Sequence, residues 1–159
     1  MFVRSYLEFD WPCEAVVTLL LGDDPGRWLV AIVEESARWE GELVSRVGFE
    51  AAHRWVGRRD GIAIGPSVPF GGGLLLPVSW RSTEPRALFP MVEADLQVAP
   101  LGRDLTQLSV NARYEPSPSG PGTGLDRTLL HRVAEAVIGD LLRRVASALR
   151  SRLEDRAGT

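Results

Sequence analysis

Residues 2–9 (FVRSYLEF) alternate, with Val3, Ser5, Leu7 and Phe9 on one face and Phe2, Arg4, Tyr6 and Glu8 on the other. A period of two predicts a strand. Asp10-Trp11-Pro12 follows, an acidic N-cap candidate and a proline suited to a first helical turn. A short helix is expected to about Leu21, turning Ala15, Val16, Leu19 and Leu20 inward, with Gly22 as its stop.

Asp24-Pro25 repeats the start signal. Trp28, Leu29, Ile32 and Val33 recur at helical spacing, and Trp39, Leu43 and Val47 continue the stripe less regularly. Glu34, Glu35, Arg38, Glu40 and Glu42 occupy much of the remainder. The pattern predicts a helix from about Pro25 to Val47, broken near Gly41 because glycine is costly inside a helix, and closed by Gly48. In residues 49–60, Ala51, Ala52, Trp55 and Val56 fit a helical turn or a short edge strand.

From Gly61 the punctuation is that of a sheet. Gly61–Val68 and Leu74–Ser82 read as strands joined by Pro69-Phe70-Gly71-Gly72-Gly73, and Pro66 and Pro77 mark edges, ends or bulges. Leu74, Leu76, Val78 and Trp80 share a face. Met91–Val98 and Asp104–Tyr114 flank a five-residue hairpin loop, 99–103. Val92, Ala94, Leu96 and Val98 face away from Glu93, Asp95 and Gln97. Leu108, Val110, Ala112 and Tyr114 face away from Gln107, Ser109, Asn111 and Arg113. One face is dry and one wet, as in an antiparallel sheet covered on a single side.

Residues 115–124 (EPSPSGPGTG) form a connector. Beyond it Leu125, Leu129, Leu130, Val133, Ala136, Val137, Leu141, Leu142, Val145, Ala148, Leu149 and Leu153 make one stripe of a long amphipathic helix. Leu125 to Leu153 would span roughly 42 Å, with the tail from Glu154 expected to fray. No internal repeat or second boundary interrupts the chain, so residues 1–156 read as one domain.

The 159 residues, 45% hydrophobic and 25% charged, suffice for a folded core without a metal or disulfide. A net charge of −3 argues against a nucleic-acid partner. Cys13 is the only cysteine, which excludes an internal disulfide and a cysteine-based zinc cluster. No run of 18 apolar residues and no secretory leader pattern occurs, so no membrane span is expected and a cytoplasmic setting is the default.

The order of strand, two helices, antiparallel strands and long helix predicts an α+β fold in which a curved sheet closes on the last helix. It resembles the helix-grip fold of the START-like (SRPBCC) superfamily. The resemblance lies in SYLEFDWPCEAVVTLL, in GGGLLLPVSW with MVEADLQVAPLGRDLTQLSV, and in LDRTLLHRVAEAVIGDLLRRVASAL. It departs in residues 25–60, where the second helix is long. The resemblance carries no catalytic motif. It implies binding of a small hydrophobic or aromatic molecule between sheet and last helix, with two alternatives: a polyketide cyclase/dehydrase-like enzyme, or a ligand-free, co-chaperone-like interaction module.

The residues themselves offer little chemistry. His53 and His131 have no metal-ligand spacing, and no cofactor is implied. Gly71, Gly72 and Gly73 lead into a strand, so they suit a turn rather than a phosphate cradle. Cys13 opens a helix, where a thiol can be activated, although a small packed side chain is the commoner case. Glu93 and Asp95 share the wet face, a carboxylate pair more simply read as cross-strand partners of Ser109, Asn111 or Arg113. The aromatics carry more weight. Trp80, Tyr114, Leu130 and Val133 are the candidate walls of an apolar pocket, with His131 at its rim as a binding or acid/base group or a boundary residue.

Overall fold

Alternation becomes strand where the dry face has something to pack on. Residues 2–9 form β1 (Phe2–Phe9), and the helical repeats form α1 (Cys13–Gly22) and α2 (Pro25–Arg46). Then come β2 (Ala63–Ile64), β3 (Val68–Phe70), β4 (Gly73–Arg81), β5 (Met91–Gly102), β6 (Leu105–Glu115) and α3 (Arg127–Ala157). The computed structural model describes residues 1–22, 25–46, 62–81, 91–115 and 127–158.

Among the described residues the strands form one open, curved, antiparallel sheet in the order β1-β6-β5-β4-β2, with β3 also on β4. Its inner face holds Val3 and Phe9 of β1, Leu74, Leu76, Val78 and Trp80 of β4, and their counterparts on β5 and β6, all buried. α3 packs along β1, β6 and α2 and buries Leu130, Val133, Val137, Leu141, Leu142, Val145, Leu149 and Leu153. This is the predicted α+β helix-grip arrangement. Ala134, Ile138 and Ala146 are buried as well, so the apolar stripe of α3 is broader than the spacing predicts.

Several boundaries differ from expectation. α2 continues through Gly41 without a break, because packing against α3 outweighs about 1 kcal/mol of glycine propensity. The run 61–68 is two short strands divided at Gly65-Ser67, not one. Pro69, Phe70 and Gly73 lie in strands rather than in a loop, and the turn is only Gly71-Gly72, whose φ values of 57° and 79° both suit a primed hairpin turn. A Cβ on Gly73 would collide with the Val98 carbonyl oxygen, so backbone fills the place of a side chain. The β5–β6 hairpin also extends further than expected, a register shift between Pro100 and Gly102 leaving Arg103-Asp104 at the turn. α3 runs past Glu154 to Ala157 instead of fraying. Residues 49–60, including His53 and Trp55, and Leu125 with most of the connector lie outside the described residues.

α2 and α3 run antiparallel. Arg152 sits over the Trp28 ring at 4.9 Å, and the buried Ser36 hydroxyl donates to Asp140 Oδ2 at 3.1 Å. Arg144 Nε donates to the same oxygen at 2.7 Å, so one carboxylate ties two helices together.

Candidate functional site

Cross-strand register builds the inner face row by row. Trp80 on β4 is opposite Val92 on β5, and Val92 is opposite Tyr114 on β6. Two large aromatic residues therefore flank one valine, about 10 Å apart across three strands. The next row is Val78, Ala94, Ala112 and Val3, with alanine on the two central strands. Leu76, Leu96 and Val110 follow. On β5 and β6 the shortest inner side chains, Ala94 and Ala112, thus come immediately behind the Trp80–Tyr114 pair.

The long helix packs on the β1 and β6 side of that inner face. Gly139 of α3 lies beside Ser5 of β1, and Arg150 sits over the Phe9 ring at 5.4 Å. With a rise of about 1.5 Å per helical residue and 3.4 Å per strand residue, Leu130 comes level with Met1 and Tyr114. Tyr114 itself is anchored by a reciprocal pair of 2.8 Å backbone bonds with Met1, whose amino group donates to the Tyr114 carbonyl.

Trp80, Tyr114, Leu130 and Val133 are all buried in one continuous apolar cluster. The polar atoms of the two aromatics, Trp80 Nε1 and the Tyr114 hydroxyl, are themselves sequestered from solvent. His131 is set apart from them. Its side chain is 43% exposed, and its Nε2 lies 3.2 Å from Glu135 Oε1 one turn along the same helix.

The remaining candidates resolve simply. Cys13 is buried, and desolvation raises its thiol pKa, the reverse of an activated nucleophile. Glu93 is opposite Arg113 and Asp95 opposite Asn111 on the outer face, while Ser109 is opposite Gln97. Among the described residues no group of His, Cys, Asp or Glu is placed to hold a metal ion, and no helix is long and apolar enough to cross a membrane.

Two features escape sequence reading. An open depression of about 410 Å³ lies on the outer face between Phe2, Gly65, Pro77, Glu93, Asp95 and Arg113. Small residues at 63, 65 and 79 make it, and only the register shows that they are neighbours. The Ser36–Asp140 bond joins residues 104 apart, and its one local signal is a small polar residue on the apolar stripe of α2.

No family model and no curated protein matches the sequence. Solved structures do match. A conserved protein from Geobacillus kaustophilus is similar at a TM-score of 0.51 and 15% identity, covering 93% of this chain and 94% of that one. An aromatase/cyclase from Streptomyces sp. R1128 gives a TM-score of 0.44 at 14% identity over 99% and 95% of the two chains. A START superfamily protein from Mycobacterium smegmatis gives 0.38 at 17% identity over 97% of each. In element order, sheet topology and the placing of its last helix, the chain has the START-like helix-grip fold.

Proposed function

We propose that residues 1–156 act as one helix-grip unit that binds a small hydrophobic or aromatic molecule between the inner face of the sheet and α3. Trp80, Tyr114, Leu130 and Val133 supply its walls, and His131 stands at the rim. The observation behind this reading is the row of small residues, Ala94 and Ala112, directly behind the Trp80–Tyr114 pair. Two broad aromatic faces beside short side chains suit a flat apolar guest, whose burial is favourable by about 25 cal/mol per Å² of apolar surface.

For the cyclase/dehydrase alternative, the group that supports a proton-transfer role is the Tyr114 hydroxyl, buried at this end of the sheet. His131 supports it less, being half exposed and engaged with Glu135.

The test is thermal denaturation of the purified protein against medium-chain fatty acids and polycyclic phenols, with mass spectrometry of the extract from denatured protein. A ligand at a hundred times its Kd stabilises by about 2.7 kcal/mol, and so raises Tm by about 5–10 °C. Trp80→Leu abolishes that rise, whereas His131→Ala preserves most of it. No shift with any compound and no extracted molecule overturns the proposal.

A further inference from the structure

The two edges of the sheet are built differently. β2 and β3 are two and three residues long, with Pro66 between them and Pro69 inside β3, the usual ways of blunting an edge. β1 is eight residues long and contains no proline, and among the described residues it pairs only with β6. Its inner positions, Val3, Ser5, Leu7 and Phe9, carry no charge to deter a further strand.

Hydrogen-bond parity shows which residues are available. Met1 exchanges both backbone bonds with Tyr114, so the odd-numbered residues of β1 point their amides at β6. The even-numbered residues, Phe2, Arg4, Tyr6 and Glu8, therefore turn theirs away from β6, to an edge that is unpaired among the described residues. Their side chains line the outer face, where Phe2 is 61% and Tyr6 66% exposed. Arg4 and Glu8 form no salt bridge among the described residues. Four positions apart on one strand, they stand about 13 Å from each other and cannot pair within the chain.

We propose that β1 is the docking edge for a second copy of this chain, the two β1 strands pairing antiparallel about a two-fold axis at Tyr6. This register sets Arg4 opposite Glu8 of the other copy on both sides of the axis and brings the two Tyr6 rings together. Shifting it by two residues either way leaves Arg4 opposite Tyr6 or pairs Tyr6 with Glu8, and both Arg4–Glu8 pairs are lost. About six backbone hydrogen bonds would join the copies through Arg4, Tyr6 and Glu8. Opposite charges directly across strands stabilise such a pair and like charges destabilise it. The axis is normal to the sheet, so both copies keep the same outer face and the sheet runs on through the seam. On the inner side Arg143, beside Gly139 and Ser5, comes near its own counterpart. It is exposed, and solvent screens that repulsion.

The experiment is sedimentation velocity and light scattering on the full chain from about 1 to 500 µM. The expected species is a dimer of the 17.4 kDa chain. Arg4→Glu and Glu8→Arg each weaken it by at least tenfold, and the double swap restores it to within about threefold. Arg143→Ala leaves it unchanged or tighter. All three positions are solvent-facing, and circular dichroism checks that the variants fold. Should a swap misfold, Tyr6→Asp sets two carboxylates across the axis and gives a monomer. A wild-type monomer throughout the range overturns the proposal, as does a dimer indifferent to the single swaps or not rescued by the double one.

Discussion

The two ends of the clasp between sheet and last helix are made of different materials. At the Phe9 end, Arg150 lies over the Phe9 ring, Arg152 over Trp28, and the Thr106 hydroxyl donates to the Trp11 carbonyl at 2.6 Å. Helix α1 adds Cys13, Val16, Leu19 and Leu20 to the interior there. At the Tyr114 end large aromatics stand beside alanines, and Leu130 and Val133 come from the first turns of α3. The first end is held by aromatic, cationic and hydrogen-bonding contacts between elements far apart in sequence. At the second, beyond the backbone pair of Met1 and Tyr114, the side chains described above meet through apolar surface, whose contacts are non-directional. Under the proposed function, stability is concentrated at one end and binding at the other.

That contrast breaks most sharply at Phe9. Phe9→Ala removes a fully buried ring and should cost about 3–5 kcal/mol, seen as a fall in denaturation midpoint at unchanged m-value. A cost below about 1 kcal/mol would mean that the Phe9 end is not the tighter one.

Ala94→Leu sharpens the comparison at the opposite end. In a filled interior the added atoms cost about 1–3 kcal/mol by overpacking. With space behind the Trp80–Tyr114 pair, stability changes by less than about 0.5 kcal/mol while the ligand-induced Tm rise disappears. Chemical denaturation with and without ligand separates the two.

Asp140→Asn probes the middle of the clasp. The amide can still accept from Ser36 but loses its charge opposite Arg144, and the expected cost is about 1 kcal/mol. A double-mutant cycle with Ser36→Ala reads the coupling between helices, and a coupling of zero rejects the inferred tie.

The smallest effect concerns Cys13. Burial raises its pKa, so the folded chain keeps a proton that the unfolded chain releases as pH climbs through about 9. Stability from this group is therefore present below that range and declines above it. Alkylation by iodoacetamide at pH 8 should track unfolding, and rapid labelling of the native protein would contradict this account of the α1 end.

Much of the fold was legible because alternation is a local property. Leu74, Leu76, Val78 and Trp80 announce their common face without reference to any other strand, and the stripe of α3 does the same at helical spacing. Boundaries were less legible where a distant partner decides them. Gly41 stays helical because α2 lies on α3, and Pro100 stays in a strand because a bulge accommodates it. The tail after Glu154 lacks an apolar stripe, yet it continues a helix already nucleated and needs only one more bond per residue. For the candidate site, the inward direction of Trp80 and Tyr114 followed from parity. Their alignment through Val92, and the small residues behind them, depend on register, which no single segment contains. His131 sits one position from the stripe, and its exposure depends on how α3 is rotated against its neighbours.

Gly73 makes register a matter of collision. The Val98 carbonyl occupies the volume where any other residue would carry its first side-chain carbon. Were β4 to slide by one step, Leu74 would be driven into that oxygen, and each residue of the strand would swap faces. A position with no side chain thus acts as the notch of a key. It bars the slide that would bring Leu74 to this place, and so helps to keep Trp80 on the buried face of the sheet.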